Sequence, residues 1–408
     1  MPCLGVMMRG MRSTVVSVLV VVGTCVPLVA QAAPAKPYEP ARGEWQRREP
    51  AALGLSAASV AAAVRLGEAG EIDAPRDMRA FLDRSFGKEP HHEPIGPLFD
   101  RGGAAGLVVY RGYVVAEWGD VARADMCNSV TKTFLTTVVG LAFDRGLLRD
   151  VHEPVATAMP AGVDLFVAEP NRAITWDHLL RQTSDWQGEL WGKPDWADRP
   201  VGKTPADWPQ PPRHVPGTHY EYNDVRVNVL ALAALQVWRR PLPAVLHDEI
   251  MAPIGASTTW RWHGYDNAWV ELDGVRMQSV SGGGHWGGGM VISTWDLARF
   301  GLLFARDGSW GKRQLVSRAW IAAARTPGEH NRGYGYANWF LNTDRKAMPQ
   351  APTSAVRFVG NGGNIVWLDR DHDLVVVVRW TREDAFQQLL GKVLDALPAA
   401  AGSPSGGR

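Results

Sequence analysis

Three serines in the chain are each followed, three residues later, by a lysine: Ser85, Ser129 and Ser309. When such a serine begins a helix, the lysine one turn further on lies on the same face. The amine can then accept the hydroxyl proton, while free backbone N–H groups hold the developing oxyanion. The pairing therefore predicts acyl transfer through a nucleophilic serine wherever the surrounding sequence forms a helix.

The residues around each serine decide which one can begin a helix. Ser85 is followed by glycine and proline residues that break helices, and Ser309 lies in the turn-like segment DGSWG. Ser129 precedes an apolar stretch, residues 130–144, that is typical of a buried helix. We therefore predict that Ser129 is the nucleophile and Lys132 its proton partner. The alternative is a serine that only caps the helix.

Other catalytic or metal-binding patterns are weaker. No G-x-S-x-G sequence occurs, which argues against an α/β-hydrolase nucleophile. Cys127 competes with Ser129 as a nucleophile but has no identifiable histidine partner, so we expect a small buried residue. His91, His92 and Glu93 have no further metal ligand nearby. We therefore predict no metal ion and no cofactor.

Composition limits the classes of function. The 408 residues include 43 Lys and Arg against 42 Asp and Glu, for a formal net charge of +1. Because nucleic-acid binders need a basic face, this balance predicts no nucleic-acid partner. The apolar fraction of 46% allows a sizeable core, and three cysteines are too few for a disulfide scaffold.

The N-terminal residues have the pattern of a signal peptide. Arg9 and Arg12 precede an apolar stretch, residues 15–29, which is followed by the small-x-small sequence Ala30-Gln31-Ala32. The apolar stretch is shorter than the ~20 residues of a membrane helix. We therefore predict that residues 1–32 are removed, that no stable membrane anchor remains, and that the protein is periplasmic or secreted.

Strands are predicted near both ends of the mature chain, with helices between them. The predicted strands lie at 106–118, 334–341, 357–358, 364–368 and 374–380. The predicted helices lie at 56–69, 77–84, 130–144, 177–181, 225–237, 296–304 and 384–397. This order predicts an α/β (α+β) fold in which both chain ends close a sheet around an inserted, mostly helical domain. We predict an N-terminal leader with helices at residues 33–100, the main domain at 101–395 with the insert at about 125–285, and a disordered tail at 399–408.

The segment CNSVTKTF, residues 127–134, resembles the active-site segment of the serine β-lactamase and penicillin-binding family. The segments ITWDHLLRQTS (174–184) and GGGM (287–290) are similar to later parts of the same family. The closest branch contains class C-like esterases, D-amino-peptidases and nylon-oligomer hydrolases. The resemblance implies a β-lactamase-like fold, with an antiparallel sheet flanked by helices.

The family places a Tyr-x-Asn sequence on a loop of the helical domain, and the matching segment here is PGTHYEYND, residues 216–224. Counted from its first two residues, Tyr222 takes the place of the family's general base and Asp224 that of the asparagine. Tyr220 competes with Tyr222 for this role. An aspartate at that place adds a negative charge, which tends to keep Lys132 protonated.

The family's third catalytic element is a Lys-Thr-Gly or His-x-Gly sequence on an edge strand, matched here by FVGNGGNIVW, residues 358–367. Gly360 stands where the family has a cation, so weaker recognition of a β-lactam carboxylate is expected. We predict that the Gly363 N–H is the second oxyanion donor and that Asn361 and Gly362 contact the substrate. The alternative is that these glycines only form a turn.

His285 and Trp286 lie between two glycine runs and are predicted to border the substrate cleft; a purely structural histidine is the alternative. Together these residues predict an exported serine hydrolase that cleaves a small ester, amide or peptide through a Ser129 acyl-enzyme. One alternative is a D-amino-acid peptidase or weak β-lactamase acting on cell-wall or β-lactam substrates. Another is a catalytically silent peptidoglycan-binding protein.

Overall fold

The computed structural model describes residues 38–398, together with Pro2. The predicted signal peptide, residues 1–32, and the predicted disordered tail, residues 399–408, fall beyond the described residues apart from Pro2. The helices are α1 (Ala57–Glu68), α2 (Met78–Phe86), α3 (Thr131–Asp144), α4 (Trp176–Leu180), α5 (Asp224–Trp238), α6 (Leu242–Leu246), α7 (Thr294–Ala305), α8 (Arg318–Ala324) and α9 (Glu383–Asp395). The strands are β1 (Ala105–Tyr110), β2 (Tyr113–Trp118), β3 (Asp125–Met126), β4 (Glu189–Leu190), β5 (Lys193–Pro194), β6 (Arg261–Leu272), β7 (Val275–Val280), β8 (Gly289–Ile292), β9 (Ser309–Trp310), β10 (Arg313–Gln314), β11 (Phe340–Leu341), β12 (Val356–Gly360), β13 (Asn364–Asp369) and β14 (Leu374–Arg379).

The larger sheet joins strands from near the beginning and near the end of the described chain, as the sequence predicts. Its six antiparallel strands follow the order β11-β12-β13-β14-β1-β2. The first strand, β1, pairs along its full length with the last strand, β14, so that Leu107 lies opposite Val377. The sheet is therefore closed by the two ends of the described chain around everything between β2 and β11.

Both faces of this sheet are covered by helices. Side chains alternate between the two faces of a strand, so neighbouring residues enter different cores. Val108 and Val376 pack in the core that includes α1 and α9, whereas Leu107 and Val375 pack in the core that includes α7. Because each face is buried, β13 and β14 are apolar along almost their whole length instead of alternating with polar residues.

Two segments differ from the sequence-based prediction. The middle of the chain is not only helical, because β6 and β7 form a long hairpin through the turn at Asp273 and Gly274. This hairpin joins β3 and β8 in a second, four-stranded sheet with the order β3-β8-β6-β7. The strand predicted at 334–341 shortens to β11, because the Tyr334 hydroxyl accepts a hydrogen bond from the Asn338 N–H and closes a turn there.

The helices of the insert pack into the core around α3. Helix α5 contacts α3, and α6 contacts both of them. Within residues 38–398, no single helix is long and apolar enough to cross a membrane, although α5 and the segment Leu242–Met251, which are bent by 74° relative to each other, reach that length and apolarity as a pair.

Candidate active site

Ser129 lies in a 3₁₀ turn, Asn128–Val130, that leads directly into α3, and its side chain is partly exposed. Asn128 has a φ of +49°, a left-handed conformation that is strained for a residue other than glycine. Its side-chain amide donates a hydrogen bond to the Asn361 carbonyl at 2.8 Å. The end of β12 therefore holds the turn that presents the serine.

Lys132 bridges the serine and an acidic residue. Its Nζ lies 2.7 Å from Ser129 Oγ and 2.6 Å from Asp224 Oδ1, and its side chain is fully buried. The carbonyls of Gly282 and Gly283 each lie 3.4 Å from the same Nζ. The Tyr222 phenol also hydrogen-bonds this amine, so oxygen atoms from five residues surround it. Of these, the Ser129 hydroxyl is the proposed nucleophile, and its residue is partly exposed.

The first glycine run after β7 lets the backbone reach this amine. At Gly283 a Cβ would lie 2.4 Å from the Asn128 carbonyl oxygen and 2.5 Å from Thr131 Oγ1. Its φ of +88° is also one that residues with a side chain rarely adopt. Only glycine therefore allows this loop to contact the start of α3 and place its carbonyls around Lys132.

The two tyrosines that compete for the role of general base have different surroundings. Both line the cleft above Ser129. The Lys132 Nζ lies 5.1 Å from the Tyr222 ring centroid, and hydrogen bonds with Ser129 and Lys132 act to lower the pKa of the Tyr222 phenol. The Tyr220 phenol instead hydrogen-bonds Asn331. The geometry therefore places Tyr222, and not Tyr220, beside the nucleophile.

The charges around Lys132 set the resting protonation states. Burial lowers the pKa of Lys132, but Asp224 and Tyr222 more than offset this effect, and its pKa is raised. Burial raises the pKa of Tyr222, and the Asp224 carboxylate adds to that rise. Burial would also raise the pKa of Asp224, but the attraction of Lys132 holds it well below its usual range. At neutral pH the site therefore holds an ammonium, a carboxylate and a neutral phenol.

His285 is buried on the far side of Asp224. Its Nε2 lies 2.8 Å from Glu89 Oε2, and its Nδ1 lies 3.1 Å from Asp198 Oδ1 and 3.6 Å from Asp224 Oδ2. Burial lowers the pKa of this imidazole, but the surrounding carboxylates outweigh burial and raise its pKa to about 11. Since Glu89 and Asp198 contact different ring nitrogens, the arrangement is that of an imidazolium bridging carboxylates.

The residues predicted on the edge strand are only partly at the site. Asn361 lines the cleft, whereas Gly362 packs against Trp380 and Gly363 against the Thr381 backbone, in the turn behind it. Val359 and Asn361 line the cleft and Gly363 does not, and the role of the Gly363 N–H as second oxyanion donor stays a prediction. At Gly360 a Cβ would lie 2.1 Å from the Cys127 carbonyl oxygen, so no cationic side chain fits there.

Asp224 and Trp286, two further residues predicted at the site, lie behind it, and Cys127 is buried as the sequence predicts. Asp224 contacts Lys132 and is buried, so it acts on the lysine and does not border the cleft. Trp286 is buried beside His285, and its Nε1 donates to the His91 carbonyl. Cys127 is buried as well, and burial raises the pKa of its thiol to about 11. Neither the histidine nor the tryptophan borders the cleft as predicted.

The cleft contains residues that the sequence did not indicate. Phe86 and Arg199 belong to segments far from the catalytic motifs, and Phe340 comes from the edge strand β11. Ser85, rejected as a nucleophile, also borders the cleft. The described residues that line this cleft of about 610 Å³ are Ser85, Phe86, Ser129, Arg199, Tyr220, Tyr222, Phe340, Val359 and Asn361.

Comparison with known proteins identifies the fold. The family model described as Beta-lactamase matches residues 95–396. A penicillin-binding protein homologue from Caulobacter crescentus is similar over 84% of this chain and 99% of its own, with 15% identity and a TM-score of 0.54.

Two further solved structures have the same fold. The hydrolase EstCE1, described as having promiscuous acyltransferase activity, is similar over 83% of this chain and 99% of its own, with 16% identity and a TM-score of 0.53. A family VIII carboxylesterase is similar over 83% of this chain and 97% of its own, with 18% identity and a TM-score of 0.52. Among curated protein sequences, no significant match to the chain was found.

Proposed function

The chain belongs to the beta-lactamase family of serine hydrolases, and on that premise we propose that it cleaves an ester or amide bond through an acyl-enzyme on Ser129. The observation that carries the proposal is the line of close contacts from Ser129 Oγ to Lys132 Nζ and from Lys132 Nζ to Asp224. A lysine that only stabilised the fold would not need to contact a partly exposed hydroxyl.

In the proposed acylation, Ser129 Oγ attacks the carbonyl carbon and loses its proton to whichever of Lys132 and Tyr222 is deprotonated. The Ser129 N–H and a backbone N–H of residues 359–363 hold the oxyanion. The acquired proton then passes to the leaving group. Water attacks the acyl-enzyme by the same route, and Ser129 is regenerated.

Ester and amide substrates are favoured over β-lactams by the end of β12. Recognition of a β-lactam carboxylate relies on a cation at the place of Gly360, where the Cys127 carbonyl leaves no room for a side chain. A chromogenic cephalosporin is therefore expected to be hydrolysed much more slowly than an activated ester. A cephalosporin rate equal to the ester rate would favour the β-lactamase alternative.

Intact mass after treatment with a neutral fluorophosphonate tests the nucleophile. Ser85 provides a matched control, because it lines the same cleft and is also followed by a lysine three residues later. We expect one adduct on the wild type and on Ser85→Ala, and none on Ser129→Ala. An adduct on Ser129→Ala would show that another residue is the nucleophile, and no adduct on any of the three would favour a silent binding protein.

We also propose that the protein is exported. The support is the order of Arg9 and Arg12, the apolar residues 15–29 and the Ala30-Gln31-Ala32 sequence. N-terminal sequencing of the protein recovered from the periplasm or medium should begin at Ala33. An N-terminus at Met1 in the cytoplasmic fraction would contradict export and leave the proposed chemistry untouched.

A further inference from the structure

The cleft above Ser129 has one charged side chain at its surface. Among the described residues that line it, Arg199 alone is charged, and the others are apolar, hydroxyl-bearing or amide-bearing. Lys132, the other cation close to the nucleophile, is fully buried below the cleft. A substrate in the cleft therefore meets a guanidinium and no exposed carboxylate.

The charges behind Arg199 are balanced but lie at different depths. The cations Lys132, Arg199 and His285 face the carboxylates of three acids, Glu89, Asp198 and Asp224. Asp198 is fully buried and Asp224 nearly so, whereas 42% of the Arg199 side chain is exposed. These six side chains together are therefore close to neutral, and the cation among them that is exposed to the cleft is Arg199.

The guanidinium is fixed in place and still has free donors. Its Nη1 contacts the Asp198 carboxylate, and its Cζ lies 5.1 Å from the centroid of the Tyr222 ring. Within the described part of the chain, Nη2 and Nε of Arg199 make no hydrogen bond. Because Nη1 is held by Asp198 while Nη2 and Nε are free, the guanidinium can donate two parallel hydrogen bonds to the two oxygens of a carboxylate.

Arg199 is also close to the reacting atoms. The Tyr222 ring that it contacts is the ring whose centroid lies 5.1 Å from Lys132 Nζ, and that amine contacts Ser129 Oγ. One aromatic ring therefore connects the guanidinium to the nucleophile. A negative group held by Arg199 would therefore lie in the same cleft as the scissile carbonyl.

We propose that Arg199 binds a carboxylate of the substrate and that the preferred substrates are esters or amides with an anionic group near the scissile bond. This inference rests on the proposed function of Ser129. Arg199, which belongs to the insert, would then supply the cleft with the cation that has no room at Gly360.

The test compares pairs of substrates in which one carboxyl group is either a free carboxylate or a neutral methyl ester. On the acyl side the pair is mono(4-nitrophenyl) adipate and its neutral methyl ester; on the leaving-group side it is 4-acetoxybenzoate and its methyl ester. The ratio of kcat/KM for the anion to kcat/KM for the neutral partner is measured for wild type, Arg199→Gln and Arg199→Lys. Arg172→Gln is the matched control, since that arginine is exposed and lies outside the cleft.

We expect the wild type to prefer the anion in at least one pair, and Arg199→Gln to lower that ratio by about 10-fold or more. Arg199→Lys should restore part of the preference, because it keeps the charge but not the fork, and Arg172→Gln should leave the ratio unchanged. A wild type without preference in either pair, or an unaltered ratio in Arg199→Gln, would overturn the inference.

Fluorophosphonate labelling of Ser129 separates this inference from the function on which it rests. Labelling of the wild type together with an unaltered ratio would overturn the role of Arg199 alone. A wild type that is neither labelled nor active on any of the four esters would overturn both.

Discussion

Asp224 decides how readily Ser129 can lose its proton. The carboxylate contacts the Lys132 ammonium and raises its pKa, and it raises the pKa of the Tyr222 phenol at the same time. Either group can act as base only after losing its own proton. The fraction of competent enzyme should therefore increase with pH, whichever of the two is the base.

Replacing Asp224 with asparagine should move the pH dependence of kcat/KM to lower pH. Removing one adjacent charge lowers both pKa values, and we expect a shift of about one to three pH units. The measurement is a pH–rate profile on a neutral ester from about pH 6 to about pH 10.

Glu89→Gln is the control for this shift, because Glu89 contacts His285 in the same cluster but not Lys132. It should alter the profile much less than Asp224→Asn. An Asp224→Asn profile that stays in place or moves to higher pH would mean that neither Lys132 nor Tyr222 is the base.

His285 should stabilise the fold in a pH-dependent way. Its pKa is about 11 in the folded protein and near 6.5 when unfolded, so its contribution is complete below pH 6.5 and is lost as pH rises toward 11. Replacing it with glutamine leaves buried carboxylates without their partner, at a cost of about 3–5 kcal/mol near pH 6. That difference should shrink as pH rises above 6.5, by at most about 1.4 kcal/mol per pH unit.

Urea unfolding of the wild type and His285→Gln at acidic and alkaline pH measures this change in the free energy of unfolding. His247→Gln is the control, since that histidine pairs with Asp248 at the surface and should change stability by about 1 kcal/mol or less. A His285→Gln difference that is the same at both pH values would mean that the folded protein does not hold an imidazolium there.

At the scale of elements, one buried side chain joins the two sheets beside the nucleophile. Arg379, at the end of β14, donates to Asn364 Oδ1 at 2.7 Å, to the Ile292 carbonyl at 2.9 Å and to the Met126 carbonyl at 3.0 Å. The last two belong to β8 and β3 of the smaller sheet. Met126 is followed by Cys127 and the turn that carries Ser129, so the arginine positions the start of α3.

Arg379→Met should destabilise the protein and slow the reaction of Ser129. The variant removes three buried hydrogen bonds, which costs about 3 kcal/mol or more in the free energy of unfolding. Arg379→Lys should be intermediate, because an ammonium cannot reach all three acceptors. Urea unfolding and the rate of fluorophosphonate labelling are the measurements.

Arg345→Met serves as the control, since that arginine donates to a single carbonyl at the surface. It should change neither quantity appreciably. If Arg379→Met loses stability but keeps the wild-type labelling rate, the arginine joins the sheets without positioning the serine.

Local sequence patterns predict most of the helices and strands. They do not predict which residues from distant segments line the cleft, because those residues are brought there by tertiary contacts. The serine, the lysine and the helix after them lie within one turn of each other, so their spacing fixed their geometry. The sequence pattern does not predict the β6–β7 hairpin, although Asp273-Gly274 is a strong hairpin turn, because the surrounding tryptophans and glycines interrupt the alternation that is typical of a strand. Arg199 and Phe86 reach the cleft only through the tertiary fold, and no spacing in the sequence indicates that they line it.

At the scale of the whole molecule, the beginning and end of the described chain pack against each other. Helices α1 and α9 pack together on one face of the larger sheet, and the Ser56 N–H donates to the Ala396 carbonyl. Before α1, the chain follows β2, with hydrogen bonds from the Arg48 N–H to the Val114 carbonyl and from the Val114 N–H to the Gln46 carbonyl. The sheet that carries β12 therefore depends on segments from both ends, so we expect it to unfold as one unit.

Cys127 can report that unfolding. It is the one cysteine within residues 38–398, is fully buried in the main core, and has a pKa raised to about 11 by burial. Alkylation needs an accessible thiolate, so iodoacetamide should modify Cys127 only when the two sheets separate. Peptide-resolved mass spectrometry in increasing urea should give the same midpoint for Cys127 labelling as tryptophan fluorescence gives for global unfolding. Rapid labelling without urea would instead show that the segment beside Ser129 opens locally while the rest of the fold stays intact.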